Sequence, residues 1–280
     1  MLGNGGDQTL PRALTLFIGN VHAACAGLRH RDGESDYNRI WRGGMSPEHA
    51  LAGQVLAEIE REQPVACLDL HNTSGENPVY GCVHDLHESS LALARHFSNM
   101  LVLVNHPQSM LSMALSATAP AVTIECGKPG HPAVTARIGE RLRTVLEDID
   151  SQPIAPPAGT LFEDAQLLRS LARVRVPDEV SFSMSGADAE LCLHADLEQY
   201  NFREVVSGTV IATIRSGSDA RLEALDDNGV DIAKQFFRRE GDTLITARSI
   251  VPSMFTPIER IVRQDCLCYL MESLQADDVS

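Results

Sequence analysis

Three stretches of this chain carry side chains whose types and spacing can do chemistry. In Asp69-Leu70-His71 the acid and the imidazole are two residues apart, so on a strand both leave the same face. A carboxylate behind a histidine fixes the ring's tautomer and leaves its other nitrogen to act as a neutral zinc ligand; the same pair can equally be a hydrogen-bonded couple at a strand end. Glu125 closes the apolar run that starts at Ala121, directly before Cys126-Gly127-Lys128-Pro129-Gly130. An acid there is either buried and in need of a partner or a working group at a crevice, because burying a carboxylate unpaired costs on the order of a few kcal/mol. The third stretch, Asp36-Tyr37-Asn38-Arg39 with Arg29 upstream, sets an amide and a planar guanidinium beside an aromatic ring. That set suits the gripping of a carboxylate.

These residues need a frame that presents them together. Residues 65–70 form a short apolar run that turns polar at His71 and ends in Gly75, the pattern of a buried strand reaching the carboxyl-end crevice of an open α/β sheet. Further strands are expected at residues 13–18, 78–83, 100–104 and 121–126. Helices are expected at residues 46–62, opened by Ser46 and Pro47, at residues 88–97, and at residues 131–150 with Val134, Ile138, Leu142, Val145 and Ile149 on one side. Alternating strands and helices with near-continuous apolar strands imply an α/β fold, a mixed, largely parallel sheet with helices on both faces, over residues 1–151. The proline-rich residues 152–159 read as a linker, and the short strands with turn signals over residues 160–280 read as a smaller β-rich domain.

Composition narrows the function. The chain has 280 residues with a formal net charge of −15, which argues against a nucleic-acid partner, since phosphate binding relies on clustered Lys and Arg. No run approaches the ~20 apolar residues of a membrane span and no basic-then-apolar leader is visible, so no membrane contact and a cytoplasmic location are expected. The seven cysteines are scattered without a C-x-x-C pair, suggesting buried thiols rather than a disulfide framework. Cys266-x-Cys268 should face one side of a strand within the core. His84 and His87 are three apart and are expected to decorate a helix start, and His22 and His30 are loop histidines. A strand at residues 13–18 left with an open edge would invite pairing with another chain, hence a possible homodimer.

Taken together, Gly19-Asn20 after an apolar run, Arg29, Asp36-Tyr37-Asn38-Arg39-Ile40-Trp41, Asp69-Leu70-His71-Asn72-Thr73 and Ile124-Glu125-Cys126-Gly127-Lys128 resemble, in order and approximate spacing, the succinylglutamate desuccinylase/aspartoacylase family. That family is a branch of the zinc carboxypeptidase-like fold. Asn201-Phe202, Gly208-Thr209 and residues 250–271 are similar to its C-terminal β domain. The resemblance implies that His71 is a zinc ligand and that Glu125 activates metal-bound water and later protonates the leaving amine. It implies that Arg29, with Arg31 as its substitute, polarises the scissile carbonyl, that Asn38 and Arg39 hold a substrate carboxylate, and that Asn72 and Thr73 line the pocket.

The implied activity is zinc-dependent hydrolysis of a small carboxylated amide, an N-acyl amino acid such as N-succinylglutamate or N-acetylaspartate. One family motif, Gly-x-His-Gly-x-Glu, which supplies a histidine and a glutamate to the metal, is not in this sequence. The chain is therefore expected to begin late in the family pattern and to hold zinc weakly or not at all, because catalytic zinc takes three protein ligands. The alternative is a member of the fold that binds a small carboxylate without hydrolysing it.

Overall fold

The computed structural model describes residues 10–149, 154, 165–184, 186 and 188–274. The chain enters through residues 13–18, which the sequence suggests as a strand. No ladder forms along them, and Leu16 and Ile18 are 69% and 66% exposed. A strand exists only through hydrogen bonds to a neighbour, and β-propensity without one gives extended chain. Asn20 caps the short helix α1 (Val21–Cys25) by accepting from the Ala23 N–H. Ser46 caps α2 (Pro47–Glu62) by accepting from the His49 N–H.

The strands β1 (Cys67–His71) and β2 (Tyr80–Val83), the helix α3 (Glu88–Arg95), β3 (Met100–Leu103), the helix α4 (Leu111–Leu115), β4 (Ala121–Glu125) and the helix α5 (Pro132–Asp148) follow. All but α4, which falls in a methionine- and serine-rich stretch that the sequence suggests as a loop, sit within two residues or so of the periodicity in the sequence. His87 caps α3 through its ring, accepting from the Ser89 N–H. β1 pairs in parallel with β4, and β2 pairs antiparallel with β4 and parallel with β3. The carboxyl ends of β1 and β4 therefore open at one end of the sheet, and those of β2 and β3 at the other. One face carries Val122 and Ile124 into a fully apolar layer with Leu91, Leu93, Ile138 and Val145 of α3 and α5; each such aliphatic side chain contributes roughly 1.5–3 kcal/mol on burial. The opposite face carries Thr123, Glu125, Tyr80 and Cys82, and this is the face that holds the site.

The sheet does not stop at residue 151. Beyond it come β5 (Gln166–Arg175), β6 (Phe182–Ser183), β7 (Leu191–Leu193), β8 (Val210–Ile214), β9 (Glu223–Leu225), β10 (Phe237–Glu240), β11 (Thr243–Thr246), β12 (Val251–Ser253), the helix α6 (Glu259–Gln264) and β13 (Cys268–Ser273). Four of these strands extend the first sheet, which runs β1-β4-β2-β3-β5-β13-β12 with β9 on β5. The others make a second sheet in the order β10-β11-β8-β7-β6. Strand pairing thus crosses the linker suggested at residues 152–159, which lies outside the described residues apart from Ile154. Periodicity marks where strands are but not which strand they join. The second sheet packs on β5, β9 and β13 through Val174, Ala224, Leu270, Ile211 and Leu244.

Asn201 ties this β-rich half to the loop after His71. Its amide donates to the carbonyls of Glu76 (2.8 Å) and Phe255 (3.0 Å) and accepts from the Phe255 N–H (2.9 Å). Gly75 is required there, because a Cβ on it would lie 1.8 Å from the Phe255 carbonyl oxygen.

Candidate active site

The register of β1 on β4 sets His71 opposite Glu125 and Asp69 opposite Thr123, so all four side chains share the polar face. His71 Nε2 lies 3.0 Å from Asp69 Oδ1, and its Nδ1 lies 3.6 Å from Glu125 Oε1. The first distance is a hydrogen bond and fixes the ring; the second is a charge contact beyond hydrogen-bond range. Burial pulls the imidazole's pKa down, but the charge and hydrogen bond of Asp69 and then Glu125 outweigh it, and the pKa is pushed up to about 10. Glu125 is 7% exposed and its Oε2 has no partner among the described residues. Tyr80 stands beside Glu125 across the antiparallel pair, its phenol raised well above its ordinary value by burial and then by the Glu125 charge.

The arginines form a second group. Asp36 caps a single 3₁₀ turn, Tyr37–Arg39, accepting from the Asn38 N–H at 2.9 Å, and the same carboxylate accepts from Arg29 Nε at 2.9 Å. Asp265, at the end of α6, closes the group from the far end of the chain. Its Oδ1 lies 2.6 Å from Arg39 Nη2 and its Oδ2 lies 3.2 Å from Arg29 Nη1, with only 8% of the side chain exposed. Burial would lower both guanidinium pKa values, but the Asp265 charge, joined by Asp36 at Arg29 and by Tyr269 and Asp36 at Arg39, outweighs it and holds each above its ordinary value. Burial would raise Asp36; the Arg29 charge, the Asn38 N–H and the Arg39 charge together override it and hold this carboxyl low. Asn38 Oδ1 is buried without a partner among the described residues.

A cavity of about 160 Å³ opens beside these residues, lined by Arg29, Asn72, Ser74, Met254, Ile261, Asp265 and Cys266. Asn72, next in the chain to His71, belongs to that lining; His71 and Glu125 do not. The loop from Asn72 to Gly75 is held by the Asn72 amide and the Thr73 N–H, both donating to the Gly127 carbonyl. Thr73 is 2% exposed and its hydroxyl donates to the Gly75 carbonyl, so it shapes the loop rather than lining the cavity. Arg31 is turned to solvent and pairs with Glu34, which leaves Arg29 as the arginine at the cluster. His22 is exposed on α1 and the His30 ring lies 3.1 Å from the Arg31 carbonyl.

Sequence reasoning missed Asp265. Its partner Arg39 is 226 residues away, and an acid at a helix-to-strand junction carries no local signal of that contact. A larger cavity, about 530 Å³, lies at the other end of the sheet, lined by Trp41, Arg42, His84, Asp85 and Asn105 among others. It holds none of the site candidates, and both ring nitrogens of His84 are taken, by the Val104 carbonyl (2.9 Å) and by Ser112 Oγ (2.6 Å).

Three solved structures are similar to this one. Murine aminoacylase 3 matches with a TM-score of 0.57 at 15% identity, over 92% of this chain and 82% of that one. The succinylglutamate desuccinylase of Vibrio parahaemolyticus gives 0.55 at 16% identity over 92% and 70%. The succinylglutamate desuccinylase of Chromobacterium violaceum gives 0.51 at 17% identity over 91% and 72%. The chain has their fold. The architecture suggested by the resemblance is therefore the one found, although no protein-family model and no curated protein matches the sequence.

Zinc is the group this resemblance brings with it, and the donors can be tested against it. His71 is turned as a ligand would be, one nitrogen held by a carboxylate and the other directed away from it. Its free nitrogen meets Glu125 and no other acid among the described residues. Among the described residues no group of three His, Cys, Asp or Glu side chains is placed to hold a metal ion, and an imidazole with one facing carboxylate falls short of the three protein donors of a catalytic zinc. The described residues do not fit that ion. No described helix is long and apolar enough to cross a membrane.

Proposed function

We propose that the protein is an amide hydrolase of the deacylase type, which cleaves the acyl–nitrogen bond of a small N-acyl compound. The observation that carries this reading is Glu125: buried at a strand end, one oxygen facing His71 and the other without a partner among the described residues, and paired in register with His71, whose next residue Asn72 lines a cavity with Arg29. The carboxylate accepts a proton from water as the water oxygen adds to the amide carbonyl carbon. Arg29 offers N–H groups to the oxygen that gains charge. Glu125 then returns the proton to the nitrogen as the carbon–nitrogen bond breaks, releasing a carboxylic acid and an amine. Asp69 fixes His71, which holds Glu125 in place.

Aminoacylase and desuccinylase, the names of the fold's neighbours, support acyl-amide chemistry, and a cytoplasmic setting goes with it. Zinc as its cofactor has no support from the donor set, and no step is assigned to it. That same shortage favours a second reading, in which the fold binds a small ligand without hydrolysing it.

The test is amine release from a panel of N-acetyl and N-succinyl amino acids and their carboxamides, run with the wild type and with Glu125→Gln. Release that Glu125→Gln abolishes supports the hydrolase. No release, with ligand-induced thermal stabilisation, supports the binding reading, and neither response defeats both.

A further inference from the structure

The two guanidiniums expected to grip a substrate carboxylate already hold carboxylates of this chain. Arg29 is bonded to Asp36 and reaches Asp265, and Arg39 is bonded to Asp265 at 2.6 Å. Two positive charges thus face two negative ones, and Asp265 is nearly enclosed between them. A buried pair of this kind is costly to break, because the charge left behind stays desolvated. An incoming carboxylate would be a third anion against two cations that already face two carboxylates, directly beside Asp265 in the cavity wall. Each guanidinium has five N–H donors, so those not spent on the ion pairs still suit a neutral acceptor such as an amide carbonyl.

The unpartnered atoms agree with this. Arg29 Nη2, though 2.8 Å from Asp36 Oδ2, is a buried donor without a hydrogen bond among the described residues, open to an amide carbonyl. Asn38 Oδ1 and Glu125 Oε2 are buried without a partner among the described residues, and both are acceptors. What they lack is a donor, which an amide or amine N–H supplies and a carboxylate does not.

We propose that Asp265 is a specificity-determining residue: by occupying Arg29 and Arg39 it makes the site select N-acyl compounds that carry no carboxylate beside the scissile amide. The inference rests on the deacylase reading for the reaction, and it departs from the carboxylated substrates that the motif resemblance suggests. Charge matching of this sort excludes a ligand by leaving like charges facing each other, and does so without any steric block.

The probes are a matched pair, N-acetylglycinamide and N-acetylglycine, given to the full chain. The expected result is a kcat/KM at least about tenfold higher for the amide; an equal ratio, or a preference for the acid, overturns the proposal. If neither is hydrolysed, the deacylase reading has failed, and thermal stabilisation by the same pair then decides this one: a shift with the amide only upholds it, and a shift with the acid overturns it. Asp265→Asn should raise the acid-to-amide ratio by about tenfold or more, and a folded Asp265→Asn protein with an unchanged ratio also overturns it. The wild-type pair decides alone should that variant not fold.

Discussion

His71 and Glu125 stand opposite each other on two parallel strands, and that register brings Nδ1 to 3.6 Å from Oε1. Slipping β1 by one residue would send His71 to the other face of the sheet, among the apolar side chains over α3 and α5. Leu68, which packs against the apolar layer of that other face, favours the register that sets His71 beside Glu125.

Glu125→Gln should lower amine release by at least about a hundredfold, within the usual contribution of a general base. The substitution keeps the side chain's shape and removes its proton acceptor, so far-ultraviolet circular dichroism should be unchanged. A variant that retains wild-type turnover would remove Glu125 from the reaction.

His84 should make stability fall in mild acid. Nδ1 donates to the Val104 carbonyl and Nε2 accepts from Ser112, so the ring is neutral. Burial lowers its pKa and outweighs the Val104 bond, which raises it. Below the ordinary histidine pKa the unfolded ring takes up a proton that the folded ring refuses, so the unfolded state binds more protons and stability drops as pH falls. Melting temperatures of the wild type and His84→Asn between about pH 7.5 and about pH 5 should show a steeper decline in the wild type. Parallel curves would contradict the assignment.

The joint between the two halves should be sensitive to single atoms. A Cβ at Gly75 meets a backbone carbonyl, which cannot rotate away as a side chain can, so Gly75→Ala should cost about 3 kcal/mol in urea denaturation. Asn201→Ala leaves two carbonyls and one N–H without their bonds and should cost about 2–4 kcal/mol. Near-neutral effects at both positions would show that the halves are held elsewhere.

Purified protein dialysed against buffered zinc should retain well below one ion per chain, because among the described residues His71 meets Glu125 as its only facing donor. Inductively coupled plasma mass spectrometry is the readout. A full equivalent that disappears in His71→Ala would show that the donor set is larger than these two residues.

Much of the site was legible because its signals are local. His71 and Glu125 each end an apolar run, with Asp69 two residues behind His71 on its strand, and the change from apolar to polar marks a strand tip wherever the strand lies in the sheet. Ser46 and Pro47 opened α2 as their chemistry requires. Residues 13–18 misled for the converse reason, since β-branched and aromatic composition favours a strand only where a partner supplies the ladder.

The sequence by itself determined which side chains sit at the ends of elements and that Asp69 and His71 would leave one face of a strand, because periods of two and 3.6 residues and the polar breaks after them are written in adjacent residues. Tertiary structure alone decided that β5, β9, β12 and β13 complete the first sheet and that Asp265 reaches back to neutralise Arg29 and Arg39. Strand order and long-range ion pairs depend on which surfaces meet when the chain closes, and side chains 226 residues apart leave no mark on each other's local pattern.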